Sequence, residues 1–117
     1  MKRVIIESPF AGKGDTPEAK AADRERNVRY AIAAMRDCLS RMEAPMVSHL
    51  LYTQALNDDV PFERDLGIKA GLVWGEVAEK TVVYQDLDIS TGMRLGITNA
   101  EDKGRQIEYR NLGPNWE

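Results

Sequence analysis

Four short strand-like segments, each followed by a longer helical or loop segment, constrain the fold of this chain most strongly. They are KRVIIES at residues 2–8, PMVS at 45–48, TVVY at 81–84 and QIEY at 106–109. The intervals are too long for hairpins, so helical crossovers between parallel strands are expected. The order β-α-β-α-β-α-β predicts an α/β fold, a small Rossmann- or flavodoxin-like three-layer sandwich with a parallel sheet of about four strands.

Two of the intervening segments have helical periodicity. Between Asp23 and Met42, apolar residues recur at alternating spacings of four and three and predict one buried stripe: Val28, Ile32, Met35, Leu39 and Met42. Thr16-Pro17-Glu18 offers an earlier start for this helix. In residues 61–77 five apolar residues share one face: Phe62, Leu66, Ala70, Val73 and Val77. Three glycines in that segment permit close packing against a neighbour.

Length and composition predict one soluble domain spanning residues 1–117. The chain is 43% apolar and 30% charged, and no apolar run approaches the roughly 20 residues that span a bilayer. The apolar part of the N-terminus is too short for a signal peptide, so we expect a cytoplasmic protein without membrane association. The net charge of −3 argues against a nucleic-acid polymer as partner. A small nucleotide needs only a local basic spot.

The sequence lacks the patterns of a metal or redox centre. It has one histidine, one cysteine and no C-x-x-C or H-E-x-x-H pattern, which predicts that there is no zinc site and no cofactor. An oxygen-ligated magnesium stays open. Cys38 falls in a helical segment and is predicted to be a buried structural thiol.

Polar residues follow three of the predicted strands. They are Glu7-Ser8-Pro9-Phe10, Ser48-His49 and the segment from Asp86 to Arg94. The carboxyl ends of parallel strands meet at one sheet edge, which is where ligands bind in such folds. For His49 we rank a hydrogen-bonded structural role ahead of general acid–base catalysis.

The segment DLDISTGMRLG, residues 86–96, has the sequence of an acidic loop followed by a helix start, with Ser90 or Thr91 as N-cap. Free backbone N–H groups and the helix dipole favour an anion there, and Arg94, one turn into the helix, would add a positive charge. Asp86 and Asp88 have two readings of equal weight. They either contact a ligand or only cap the loop and the helix.

The chain resembles the nucleoside 2-deoxyribosyltransferase-like superfamily, which includes deoxynucleoside-phosphate N-glycosidases, and in particular its small uncharacterised phage and bacterial branch. The residues that carry the resemblance are Ile6 to Phe10, Ser90 to Gly96 and Glu108-Tyr109-Arg110. The resemblance implies that Gly92-Met93-Arg94-Leu95-Gly96 matches a segment whose central glutamate attacks the sugar in the enzymes. Here that position is Arg94, and a guanidinium cannot be that nucleophile.

This substitution favours a protein that binds a nucleotide or ADP-ribose-type molecule, and in a phage it would sequester a host defence signal. Phe10 or Tyr52 would face the base. The predicted ligand-binding residues are Glu7, Ser8, Pro9, Phe10, His49, Asp86, Asp88, Ser90, Thr91, Gly92, Met93 and Arg94. The alternative is an N-glycosidase or deoxyribosyltransferase that uses Glu7, Asp86 or Asp88 as its carboxylate.

A third reading is an interaction module. Trp74, Trp116 and the glycine-bearing helix would then form a homo-oligomer, which we also expect of the binding protein. Trp74 is assigned to the core or to such a contact. The C-terminal tail, NLGPNWE, is expected to be loosely held, with Trp116 docking on the body or on a partner.

Overall fold

The computed structural model describes all residues from 1 to 117 and contains a four-stranded parallel sheet. The elements are β1 (Lys2–Glu7), α1 (Pro17–Ser40), β2 (Glu43–Met46), α2 (Ser48–Leu51) with a 3₁₀ turn (Tyr52–Gln54), α3 (Pro61–Gly75), β3 (Lys80–Tyr84), α4 (Thr91–Asp102) and β4 (Gln106–Arg110). The strand order is β2-β1-β3-β4. The predicted α/β fold is confirmed, and the direction of winding reverses between β1 and β3.

Alternating side chains of the sheet build two cores, one on each face. Val82 and Tyr84 of β3 pack with α1, whereas Val83 between them packs with Met93 and Ile97 of α4. β3 is buried along its whole length, as expected for a central strand covered on both faces. The helices therefore form outer layers on either side of the sheet. None of them has both the length and the apolar character needed to cross a bilayer.

The predicted buried stripe of α1 is wrong by one residue. Ile32, Leu39 and Met42 are exposed, and the buried positions are Asn27, Tyr30, Ala31, Ala34 and Cys38. One residue corresponds to a rotation of about 100° around the helix. The small alanines let α1 lie close to the sheet. The polar side-chain atoms on this face form hydrogen bonds, such as the one between Cys38 Sγ and the Tyr84 hydroxyl at 3.3 Å.

Two element boundaries also differ from the sequence-based ones. α1 begins at Pro17, the earlier start, because Thr16 caps it: Ala19 N–H donates to Thr16 Oγ1 at 3.1 Å. β2 lies two residues earlier than predicted, at Glu43–Met46, and α2 begins at Ser48. The pairing of β2 with β1, which aligns Glu43 with Lys2, fixes this register. Periodicity alone does not reveal a pairing of that kind.

α3 is oriented with its small residues inward. The face that carries Phe62, Leu66 and Val73 is formed as predicted, but it points to solvent. Gly67 and Gly71 turn toward α2 and the 3₁₀ turn, and a side-chain carbon added to Gly71 would lie 2.8 Å from Ser48 Cβ. The close packing that the glycines permit is thus made by the inner face of the helix.

A largely buried network of ion pairs joins β2, β3 and β4 on the side of the sheet that packs on α1. Arg110 donates to both carboxyl oxygens of Glu43, at 2.8 and 2.7 Å, and to Glu108 at 2.6 Å. Lys80 completes the network at 3.0 Å from Glu43 and 2.9 Å from Glu108. Hydrogen bonds from Arg110 lower the pKa of Glu43 and of Glu108 to about 2. These carboxylates are structural because every charge in the network is paired.

Asp86 holds the C-terminal tail, which is therefore not loosely held. Its carboxylate accepts hydrogen bonds from the Tyr30 hydroxyl, from Leu112 N–H at 2.9 Å and from Gly113 N–H at 3.0 Å. Trp116 then packs edge-on against the Tyr30 ring, with ring centroids 4.9 Å apart. Trp116 thus docks on the body of its own chain. Partial burial raises the pKa of Asp86, but the hydrogen bonds outweigh it and the net shift is downward.

We expect Asp86→Asn to release the tail and lower the free energy of unfolding by about 2 kcal/mol, because the amide cannot accept the three hydrogen bonds equally well. Urea unfolding followed by circular dichroism measures the loss, and Trp116 fluorescence reports the tail. The matched control is Asp88→Asn, since Asp88 is exposed with φ of 68°, a conformation that asparagine tolerates. Equal stability of the two variants would contradict this assignment.

Candidate functional site

A cavity of about 280 Å³ opens at the C-terminal edge of the sheet, between α3, α4 and the ends of β1 and β2. Glu7 and Ser8 come from the end of β1, and Ser48 and His49 come from the start of α2. The inner face of α3 forms one wall. The cavity lies beside the β1–β3 junction where the winding reverses, which is the position at which open parallel sheets bind ligands.

The carboxyl group of Glu7 faces the cavity without a hydrogen-bond partner. It lies against the backbone of α4 at Gly96, where any added side-chain carbon would overlap the carboxyl group. Burial raises the pKa of Glu7 to about 8, although the positive charge of Arg105 acts in the opposite direction. At neutral pH the group is therefore mostly a neutral acid, able to donate a hydrogen bond.

Ser8, His49 and Phe10 form a second group beside Glu7. Ser8 Oγ lies 3.3 Å from His49 Nε2, and the rings of Phe10 and His49 are 5.4 Å apart. Burial lowers the pKa of His49 to about 4, so the imidazole is neutral at physiological pH. A neutral histidine beside a serine is able to form hydrogen bonds with a molecule in the cavity. The predicted structural role of His49 is compatible with this geometry.

The loop after β1 is fixed in place and contributes to the cavity wall. Asn27 Nδ2 donates to the carbonyl oxygens of Phe10 and Ala11, at 3.2 and 3.3 Å, and Lys13 N–H donates to Asp23 at 2.8 Å. The Arg24 guanidinium lies 5.0 Å from the centre of the Phe10 ring. Ala11 and Lys13 line the cavity. α1 thus holds this loop against the site.

The N-terminus of α4 forms the other end of the cavity. Met93 N–H donates to the capping Ser90 Oγ at 3.2 Å, which leaves the N–H groups of Thr91 and Gly92 without an acceptor. Arg64 of α3 reaches this point, because its Nη2 lies 3.7 Å from where a side-chain carbon on Gly92 would be. The helix dipole and the guanidinium favour an anion at this end of the cavity, although Asp58, 3.8 Å from Arg64, offsets part of the positive charge.

Eight of the twelve predicted ligand-binding residues line the cavity: Glu7, Ser8, Phe10, His49, Ser90, Thr91, Gly92 and Met93. Arg94 does not, because its side chain is exposed on the outer side of α4. Asp88 is exposed on the loop, Asp86 is occupied with the tail, and Pro9 is buried outside the lining. Tyr52 lines a smaller adjoining recess. The structure thus places Arg94, Asp86, Asp88 and Pro9 outside the cavity lining, and for Asp86 it shows the loop-fixing role that was one of the two alternatives.

Sequence reasoning missed four charged residues that line the cavity: Lys13, Asp58, Arg64 and Arg105. Arg105 lies at the inner end, where it donates to Thr81 Oγ1 at 3.2 Å. Asp58 lies 3.8 Å from Arg64. Only one feature of the sequence could have pointed to Arg64 as a cavity residue. It lies on the face of α3 that carries the glycines, opposite the apolar stripe. No three acidic, histidine or cysteine side chains come together in a way that could hold a metal ion.

The fold and the cavity define a small parallel α/β domain with a polar pocket at the sheet's C-terminal edge. The sequence matches a domain family of unknown function, DUF7768, over residues 2–110. The chain belongs to this family. No curated protein and no solved structure matches the chain. The resemblance to nucleoside 2-deoxyribosyltransferases therefore stays a prediction from the sequence.

We expect Glu7→Gln to stabilise the protein without ligand, by about 1–3 kcal/mol at pH 8 and hardly at pH 5. Between pH 4.5 and about 8 the folded state keeps the proton of Glu7 while the unfolded chain has lost it. Folded wild-type protein therefore binds more protons and loses stability as the pH rises. Glutamine removes this cost. Urea unfolding of both proteins at pH 5 and pH 8 measures it, and a pH-independent difference would contradict the raised pKa.

Proposed function

We propose that this protein binds a small nucleotide in the cavity, with the phosphate at the N-terminus of α4 and the nucleoside toward Glu7. The observation that carries the proposal is the unpartnered Glu7 carboxyl group, which faces a cavity whose other end favours an anion. An ionisable group without a partner is costly unless a ligand uses it. Nucleotides combine an anionic end with a polar end rich in hydrogen-bonding groups, and the cavity offers an anion-binding end and a hydrogen-bonding end, with Arg105 also near Glu7.

The phosphate end rests on three groups that converge on one point. The free N–H groups of Thr91 and Gly92 point along the positive end of the helix dipole, and Arg64 adds a full charge beside them. A guanidinium binds phosphate oxygens through two donors at once. Arg64 therefore takes the role that the sequence alone assigned to Arg94.

The nucleoside end rests on neutral hydrogen-bonding groups. Protonated Glu7 donates a hydrogen bond, and the Ser8 hydroxyl group donates or accepts one. Neutral His49 donates a hydrogen bond from one ring nitrogen and accepts one at the other. Sugar hydroxyls and base edges match such groups better than a second charge would. The exposed part of the Phe10 ring borders the same space and offers an apolar surface to a base.

The volume limits the size of the ligand. Ligand pockets span roughly 300–1,000 Å³, so a cavity of about 280 Å³ is at the lower limit of that range. This favours a mononucleotide over ADP-ribose or a cyclic oligonucleotide. In a phage, the biological role we propose is sequestration of a host defence signal. The signal would then be a nucleotide of this size.

We expect Arg64→Met to weaken binding of a nucleoside monophosphate by about ten- to a hundredfold, because a charge-assisted contact is worth roughly 1.5–3 kcal/mol. Binding of the matching nucleoside, which has no phosphate, should stay within twofold. Isothermal titration calorimetry with both ligands separates the two effects. The panel should also contain cyclic ADP-ribose and cyclic oligonucleotides.

Arg94→Met is the matched control, because it removes the same group from the exposed side of α4. It should leave both affinities unchanged. Absence of binding across the whole panel would reject the proposed function. Equal losses in the two variants would reject only the phosphate site at Arg64.

A second candidate function is a nucleoside or nucleotide N-glycosidase, favoured by the raised pKa of Glu7. A neutral carboxylic acid is suited to protonate the base as the N-glycosidic bond breaks. Asp58 is the other carboxyl group that lines the cavity. It would take a proton from the water whose oxygen bonds to the sugar C1′, so that free base and free sugar are the products. A transferase would replace that water by a second base.

If the protein is such an enzyme, Glu7→Gln should reduce release of free base at least about a hundredfold. The wild-type rate should fall as the pH rises through about 8, where Glu7 loses its proton. Chromatography of deoxynucleosides and their monophosphates after incubation measures the product. Asp88→Asn, outside the cavity, is the control and should keep the wild-type rate. Full activity in Glu7→Gln would exclude this mechanism.

A further inference from the structure

The outer face of α3 carries large apolar side chains in contact with solvent. Phe62 is 74% exposed, Val73 61% and Val77 55%, with Leu66 and Trp74 close to half exposed. Phe62, Leu66, Val73 and Trp74 lie on α3, and Val77 follows in the turn just past the end of the helix at Gly75, so that together they form one apolar stripe. Such a stripe on a helix is typical of a surface that packs against another protein.

α3 cannot bury this stripe by turning. Its opposite face packs through glycines, and side-chain carbons on Gly71 and Gly75 would lie 2.8 Å from Ser48 Cβ and 3.2 Å from an Arg105 nitrogen. A half-turn of the helix would put Val73 or Leu66 into these contacts. The cavity-lining residues Arg64 and Ile68 would leave the cavity at the same time. The outward orientation of the stripe is therefore fixed by the fold.

The spacing of the stripe is symmetric about its centre. Reversal of α3 about a point between Lys69 and Ala70 exchanges Leu66 with Val73, and it relates Phe62 to position 77, in the turn just past the end of the helix at Gly75. A two-fold axis requires this property, because residue i must contact residue j while j contacts i. The central position is the small Ala70, which allows two helices to approach closely. A second copy of this chain is thus a partner that fits the stripe.

The solvent-exposed area of the chain also supports a second copy as the partner. The chain exposes 7172 Å², whereas a folded monomer of 13.2 kDa is expected to expose about 6,400 Å². The excess of about 750 Å² is close to the roughly 800 Å² that each partner buries in a standard interface. The excess belongs to the chain as a whole, and the largest group of exposed apolar side chains on any element is the one on and just after α3.

We propose that two copies of the chain pack antiparallel through the outer faces of their α3 helices, with Leu66 of one copy on Val73 of the other. This gives the predicted homo-oligomer a defined interface and assigns Trp74 to its rim. The contact does not use the cavity, so it stands or falls independently of the ligand. It also fixes α3, whose inner face is a wall of the cavity.

Sedimentation or light scattering over a range of concentrations tests the dimer. We expect a mass of about 26 kDa for the wild type, twice that of the 13.2 kDa chain. Val73→Glu should halve the mass while the circular dichroism spectrum stays unchanged, because Val73 is exposed in the single chain. Leu39→Glu is the matched control on the exposed side of α1 and should stay dimeric. A monomeric wild type, or a Val73→Glu dimer, would overturn the proposal.

Cysteine pairs test the two-fold arrangement. The double variant Leu66→Cys/Val73→Cys should form covalent dimers on mild oxidation, because the two positions face each other across the axis. Leu66→Cys alone should not, since its two copies would be about 10 Å apart along the helices. Cross-linking by the single variant would indicate a parallel pair and overturn the antiparallel arrangement. Gel electrophoresis without reducing agent gives the result.

Discussion

The contact between the Glu7 carboxyl group and the α4 backbone at Gly96 governs the geometry of the site. α4 can lie this close to the end of β1 only because residue 96 has no side chain. The approach removes part of the water around the half-buried carboxyl group and provides no donor in exchange, so the neutral form is favoured. The same approach brings the N-terminus of α4 to the opposite end of the cavity. One glycine thus determines both the state of the acid and the position of the end that favours an anion.

Two kinds of buried or half-buried acid occur in this small protein, and their pKa values shift in opposite directions. Glu43 and Glu108 are paired with Arg110 and Lys80, and their pKa values fall to about 2. Glu7 has no hydrogen-bond partner and its pKa rises to about 8. The paired acids join strands that lie apart in the sheet. An acid left unpaired beside a cavity lowers stability at neutral pH, and this is why we attribute a function to Glu7 and not to the others.

Much of the fold was predictable, while the packed faces of the helices were not. The strand segments and the long intervals between them imply parallel crossovers, and the four-stranded sheet confirms this. The prediction that the stripe from Val28 to Met42 is buried was wrong, because α1 buries alanines and hydrogen-bonded polar groups instead of its largest aliphatic residues. In the site, the residues that follow β1 and those that cap α4 were found because chain order fixes them at the sheet edge. Arg64 was missed because only the packing of α3 brings it there.

The parallel α/β architecture, the polar sheet edge and the cap of α4 could be predicted from the residues alone, because local periodicity, turn chemistry and chain order are properties of short segments. Tertiary structure alone decided which charges meet. Arg94 points away and Arg64 points in, Asp86 holds the tail, and Glu7 loses part of its water to a neighbouring helix. The physical reason is that side-chain direction and desolvation depend on helix rotation and on contacts between distant segments. A rotation of one residue, about 100°, exchanges a cavity-facing side chain for a solvent-facing one.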